Sequence, residues 1–165
     1  MLTGKNKMRK IFYFIIGLLL AIPTESFRFF IVEKRPAPWI SMTIAYIILL
    51  GIGYVASKYI KNNLIYYIIF GIFGLFIEVF VWKVLPQIAA VGILGWIMWF
   101  SFWGSLFLIP RLYLKGELHS PTIIFFCGSL IFFILFYLTT KNTGAGGLFF
   151  TSLNLPYFLW HFKHK

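Results

Sequence analysis

Apolar residues in this chain run together in long blocks, and polar residues collect at the block edges. Six blocks stand out, over residues 11–32, 39–57, 64–85, 88–109, 121–140 and 144–161. A bilayer core of about 30 Å needs about 20 apolar residues in a helix rising ~1.5 Å per residue, so each block is a candidate span. The breaks between them carry helix-ending chemistry. Pro36-Ala37-Pro38 forces a turn after the first block, because proline cannot continue a helix and restricts the residue before it. Lys58 to Asn63 makes a tight polar link, Pro86 stops the third block, and Pro110-Arg111 stops the fourth. Ser120-Pro121 opens the fifth as an N-cap followed by a first-turn proline, and Lys141-Asn142-Thr143-Gly144 closes it.

The last block is the shortest test of this pattern. It has 18 residues, roughly 27 Å of helix, starts glycine-rich and contains Asn154 and Pro156. The expected fold is an all-α integral membrane protein, a polytopic bundle of six transmembrane helices in a single domain over residues 1–165. The alternative is five spans followed by a re-entrant or interfacial C-terminal segment. The start of the chain resembles a signal peptide, with Lys5, Lys7, Arg9 and Lys10 ahead of Ile11–Ile22. Pro23 and Glu25 spoil the small-x-small cleavage pattern, so the expectation is a retained first helix.

Composition points the same way. Hydrophobic residues are 61% and charged residues 12% of 165, against roughly 45–50% and about 25% in soluble domains. A soluble protein this small has too much surface for its volume to hide that excess. The net charge of +11 does not imply nucleic acid as a partner, because the basic residues edge the apolar blocks instead of lining one face. With the N-terminus inside, eight Lys and Arg fall on the cytoplasmic side, from Lys5 to Lys115, and four on the outer side (Lys34, Arg35, Lys83, Lys141). Adding Lys163 and Lys165 gives 10 against 4 for six spans and 8 against 6 for five. The positive-inside rule therefore favours six spans in a cell membrane with both termini cytoplasmic. Trp39, Trp82 and Trp160 fall at expected interfaces, where indole rings anchor helices.

Little of the chain carries chemistry. All four acidic residues are Glu (25, 33, 78 and 117) and there is no Asp, which excludes Asp-pair and Asp-rich metal motifs. Cys127 stands alone, so neither a disulfide within the chain nor a CxxC pair is possible. His161 and His164 lack a third ligand nearby, and no metal or cofactor is expected. What remains is charge in unusual places. An ionisable group at a membrane helix centre costs roughly 2.5–3.5 kcal/mol on insertion scales, so it needs a partner or a wet cavity. Glu25 and Arg28 are three residues apart and share a helix face. On the expected topology Glu25, Arg28 and Glu78 lie at similar depth in the outer leaflet, which makes them candidates for one ligand- or ion-binding site. The competing explanation is a clasp that joins the first and third helices.

Trp96, Trp99 and Trp103 form an i, i+3, i+7 stripe, a candidate aromatic wall for a ligand or a packing face of the bundle. Ser41-xxx-Ala45 and Gly53-xxx-Ser57 are small-xxx-small pairs suited to close helix packing. The segment Gly17–Pro23 echoes Gly104–Pro110 at four of seven positions, as two inverted halves of a transporter would. Three functions fit these features. The first is a transporter or transporter subunit built around Glu25, Arg28 and Glu78. The second is a membrane enzyme using a Glu as acid or base on a lipid or isoprenoid, and the third is a non-catalytic assembly subunit. Expected partners are membrane lipids, a small-molecule or ion substrate, and a membrane protein or a second copy.

Overall fold

The computed structural model describes residues 4–27, 29–30, 34–82 and 92–118, together with 127, 128, 131, 135 and 138. All regular structure among the described residues is helical: α1 (Gly4–Phe27), α2 (Trp39–Tyr59), α3 (Asn63–Phe76) and α4 (Ile93–Lys115). A π-helical turn, Ile77–Val81, extends α3 without a break. The all-α class therefore holds. Two helices, Trp39–Tyr59 and the continuous Asn63–Val81, are long and apolar enough to cross a membrane. Of the fifth block, Cys127, Gly128, Ile131, Leu135 and Leu138 are described, and all five are helical. The sixth block lies outside the described residues.

The helices differ from the apolar blocks mainly at their ends. α1 begins at Gly4, so the basic residues ahead of Ile11 are helical. Lysine and arginine are good helix formers, and the apolar pattern marks where a helix buries surface, not where its hydrogen bonds start. Pro23 sits inside α1. Just after it, Thr24 Oγ1 donates to the Leu20 carbonyl at 2.8 Å and Ser26 Oγ to the Ile22 carbonyl at 2.5 Å. Such back-bonding lets a helix carry a proline where its regular bonding is weakened.

α2 starts after Pro38, whose carbonyl accepts the Met42 N–H at 2.9 Å. Its last bond runs from the Ile60 N–H to the Ala56 carbonyl at 2.9 Å. Asn62 then caps α3, its side-chain oxygen accepting from the N–H groups of Leu64 (2.8 Å) and Ile65 (3.1 Å).

The break in helical structure expected at Pro110-Arg111 does not occur. α4 runs through Pro110 to Lys115. It stops at Gly116, whose φ of +74° is a left-handed conformation that glycine adopts without a Cβ clash. The Glu117 N–H bonds to the Leu112 carbonyl (2.8 Å) and the Gly116 N–H to the Tyr113 carbonyl (3.0 Å), the paired bonds of a Schellman cap.

The chain divides into two compact units, residues 1–61 with 106–117, and residues 62–105 with 118–165. In the first, α1 and α2 run antiparallel. Tyr13 meets Tyr54 edge-on at 5.7 Å, Gly17 lies under Leu50, and Glu25 reaches Tyr46. Leu106–Lys115 of α4 joins them, with Phe107 and the Tyr13 hydroxyl closing over Gly53. Gly53 thus fills the packing role expected of its small-xxx-small pair. Ser41 is exposed, and Ser57 spends its hydroxyl on the Tyr54 carbonyl at 2.7 Å. Arg111 is fully buried, and its Nη2 donates to the carbonyls of Ile60 (2.5 Å) and Lys61 (2.8 Å). Lys115 Nζ reaches the Lys61 carbonyl at 3.0 Å. These cations cover carbonyls that the end of α2 would otherwise leave bare.

In the second unit, aromatic rings sit on glycines. Phe100 covers Gly71, Trp103 covers Gly74, and Tyr67 covers Gly104. Tyr67 also meets Phe100 edge-on at 5.7 Å. A Cβ on Gly74 would lie 1.9 Å from Trp103 Cγ and 2.2 Å from its Cβ, so no side chain fits there. Gly51 is a natural control, because nothing lies within 4 Å of a Cβ added to it. Gly74→Ala should destabilise the fold by about 1–3 kcal/mol through overpacking. Gly51→Ala should leave stability unchanged or raise it by about 0.5–1 kcal/mol through helix propensity. Thermal unfolding of the purified variants checks this, and equal unfolding temperatures for the two would contradict the packing described.

Candidate functional site

Both carboxyls placed by the sequence within apolar blocks are withdrawn from solvent. Glu25 lies near the end of α1 and is 2% exposed. The Tyr46 hydroxyl of α2 donates to its Oε1 at 3.0 Å. The antiparallel register of α1 and α2 creates this contact, since it brings the first half of α2 to the end of α1. Around it, Ala21, Ser26 and Phe29 are buried, and the Arg35 guanidinium stands 4.7 Å over the Phe29 ring.

Glu78 is fully buried and lies inside the π-helical turn. The Trp103 indole N–H donates to its Oε1 at 3.0 Å, and Trp82 packs against Trp103 with the rings tilted by 38° and their centres 5.5 Å apart. The turn is closed by a bond from the Trp82 N–H to the Ile77 carbonyl at 3.0 Å, which spans one residue more than an α-helical bond. That extra residue rotates the chain beyond the turn by about 100° relative to a continuing α-helix. Single π turns within α-helices concentrate at functional sites.

Glu25 belongs to the first compact unit and Glu78 to the second. Arg28 lies outside the described residues. Each carboxyl accepts a hydrogen bond from a neutral donor on another helix. Tyr and Trp are the right donors for this position, because they combine a large apolar body with one polar atom.

The tryptophan stripe stays on one helix, because α4 continues through Gly104. Its members differ in setting. Trp96 is 36% exposed, Trp99 is half-buried and meets Phe102 edge-on at 6.0 Å, and Trp103 is fully buried. Trp103 therefore belongs to the Glu78 site, a link that its i+7 spacing from Trp96 alone did not reveal. Arg111 was missed as an interior residue, because Pro110 before it reads as a helix end. The signal that places it inside is Lys115-Gly116, a basic last turn followed by the C-terminal glycine. Among the described residues, no three His, Cys, Asp or Glu side chains gather as metal ligands.

Comparison with protein-family models, characterised proteins and solved structures found no match to this chain.

The two hydrogen bonds carry separable energies. Tyr46→Phe removes one donor from a buried carboxyl and should cost about 1–3 kcal/mol, and Trp103→Phe should cost more, because it also empties part of the space above Gly74. Tyr46→Phe combined with Glu25→Met removes both partners and should cost less than the two single changes together. An additive double-mutant cycle would show that Tyr46 and Glu25 do not interact.

Proposed function

We propose that this chain is a six-span helical membrane protein of the cell membrane, with both ends cytoplasmic, acting as a transporter or a transporter subunit. Its working groups are Glu25, Arg28 and Glu78. The membrane reading is supported by the outward faces of α2 and α3. On α2 these carry Ile40, Ile44, Ile48, Ile52 and Val55, and on α3 Ile65, Ile68, Ile72 and Phe76, all exposed. Water penalises such faces at about 25 cal/mol per Å², and hydrocarbon does not. The topology is supported by the seating of Arg111 and Lys115 at the end of α2, beside Lys61, since the positive-inside rule gathers these residues on one side.

The observation that carries the functional reading is Glu78, an ionisable group fully buried in a π-helical turn and gripped by an indole. A buried carboxyl within a span is costly to keep, and it is the kind of group through which pumps and transporters pass protons or cations. The same hydrogen bond favours a second reading, in which Glu25–Tyr46 and Glu78–Trp103 are clasps of a non-catalytic subunit.

Gln variants separate the two, because an amide keeps the shape and an acceptor oxygen but carries no charge. The full chain is reconstituted in liposomes, and proton, Na⁺ and K⁺ fluxes are followed under imposed gradients. The transporter reading expects flux above protein-free vesicles, lost in Glu78→Gln and Glu25→Gln while their unfolding temperatures stay near that of the unsubstituted protein. Gln variants that match the unsubstituted protein in flux and in the growth of cells depending on it would leave the clasp.

A further inference from the structure

We infer that the basic end of the first compact unit binds the headgroup of an anionic phospholipid, with the acyl chains lying along exposed apolar stripes of α1 and α2. The inference rests on the membrane reading above. Three helix ends meet there: the start of α1, the end of α2 and the end of α4. Arg111 and Lys115 tie α4 to the last carbonyls of α2. Phe12 of α1 packs on Tyr113 of α4 with ring centres 5.8 Å apart. A Cβ on Gly116 would come within 3.4 Å of Arg9 Nη2, so the α1 arginine lies against the cap of α4.

This convergence concentrates charge. Lys7, Arg9 and Lys10 come from α1, Lys58 and Lys61 from the end of α2, and Arg111 and Lys115 from α4, against Glu117 as the acidic residue of these segments. Arg111 is committed to backbone carbonyls. Lys7, Lys58 and Lys61 are exposed, with Lys58 Nζ 5.0 Å from the Tyr54 ring centre.

The partner's other half is written on the helix flanks. α1 exposes Met8, Ile11, Ile15 and Leu19, and α2 exposes Ile48, Ile52, Val55 and Tyr59, each set at i, i+3/i+4 and i+7 spacings that make one stripe. Both stripes end among the basic residues. A ligand that matches an apolar stripe running into a cationic end is an amphiphile with an anionic head. Free phosphate matches only the charge, and a zwitterionic phosphatidylcholine brings its own cation to compensate the phosphate. Basic pockets between helices on the cytoplasmic side hold such headgroups in membrane proteins.

The test uses the full-length protein in nanodiscs of phosphatidylcholine, with and without phosphatidylglycerol, and reads thermal unfolding. Phosphatidylglycerol should raise the unfolding temperature, and inorganic phosphate at equal concentration should not. Lys58→Gln with Lys61→Gln should lose the increment while matching the unsubstituted protein in pure phosphatidylcholine. Lys34→Gln with Arg35→Gln removes the same charge before the start of α2 and should keep the increment. Equal unfolding temperatures in the two lipid mixtures would overturn the inference. So would an equal rise with inorganic phosphate, which would mark a free-anion site, or an equal loss in both double variants, which would mark a bulk charge effect. Extraction of the protein from membranes by alkaline carbonate would instead overturn the membrane reading. Retention in carbonate without a lipid preference would overturn the lipid site alone.

Discussion

A charged side chain taken out of water needs a hydrogen-bond partner, and three such groups, each with a partner from another part of the chain, organise this structure. Glu25 finds the Tyr46 hydroxyl, Glu78 finds the Trp103 indole, and Arg111 finds the carbonyls of Ile60 and Lys61. Apolar contacts are non-directional, so a bundle of Ile, Leu and Phe can slide or rotate at little cost. A buried carboxyl or guanidinium cannot, because leaving it without a hydrogen-bond partner costs several times what the bond itself contributes. These groups thereby fix which helices meet and in what register. The antiparallel pairing of α1 with α2 and the seating of the α4 end on the α2 end both depend on them.

Close approach supplies the rest. Where rings of Phe100, Trp103 and Tyr67 cover Gly71, Gly74 and Gly104, the helices carry no side chain to hold them apart. Interior packing is tight enough that one added methyl group is felt. The arrangement also explains how Trp103 can serve two roles. Its ring fills the space above Gly74, and that seating aims its N–H at Glu78.

Much of the architecture was legible in the sequence, and what was lost has physical causes. α2 begins at Trp39, where the Pro36-Ala37-Pro38 turn places it, because proline acts on the local backbone whatever the surroundings. The unusual character of Glu25 and Glu78 was legible from charge inside apolar blocks alone. Their donors were not, because Tyr46 and Trp103 are ordinary residues of apolar helices until folding brings them near. Pro110 misled for a related reason. A proline tells against a helix locally, yet packing of Phe107, Ile109 and Leu112 and the Gly116 cap outweigh that preference. The π-helical turn at Ile77–Val81 has no sequence signature that periodicity could detect, since its apolar residues fit an α-helix equally well.

The central claim is that Arg111 and Lys115 hold the end of α4 against the end of α2, which sets the register of the first unit; in the proposed topology both of these ends face the cytoplasm. The most direct measurement uses Lys61→Cys with Lys115→Cys in a Cys127→Ser background, in sealed membrane vesicles of known orientation. The account predicts that the two cysteines cross-link with a short bis-thiol reagent, and that a membrane-impermeant thiol label reaches both only from the cytoplasmic face. Failure to cross-link, or labelling of the two positions from opposite faces, would contradict it.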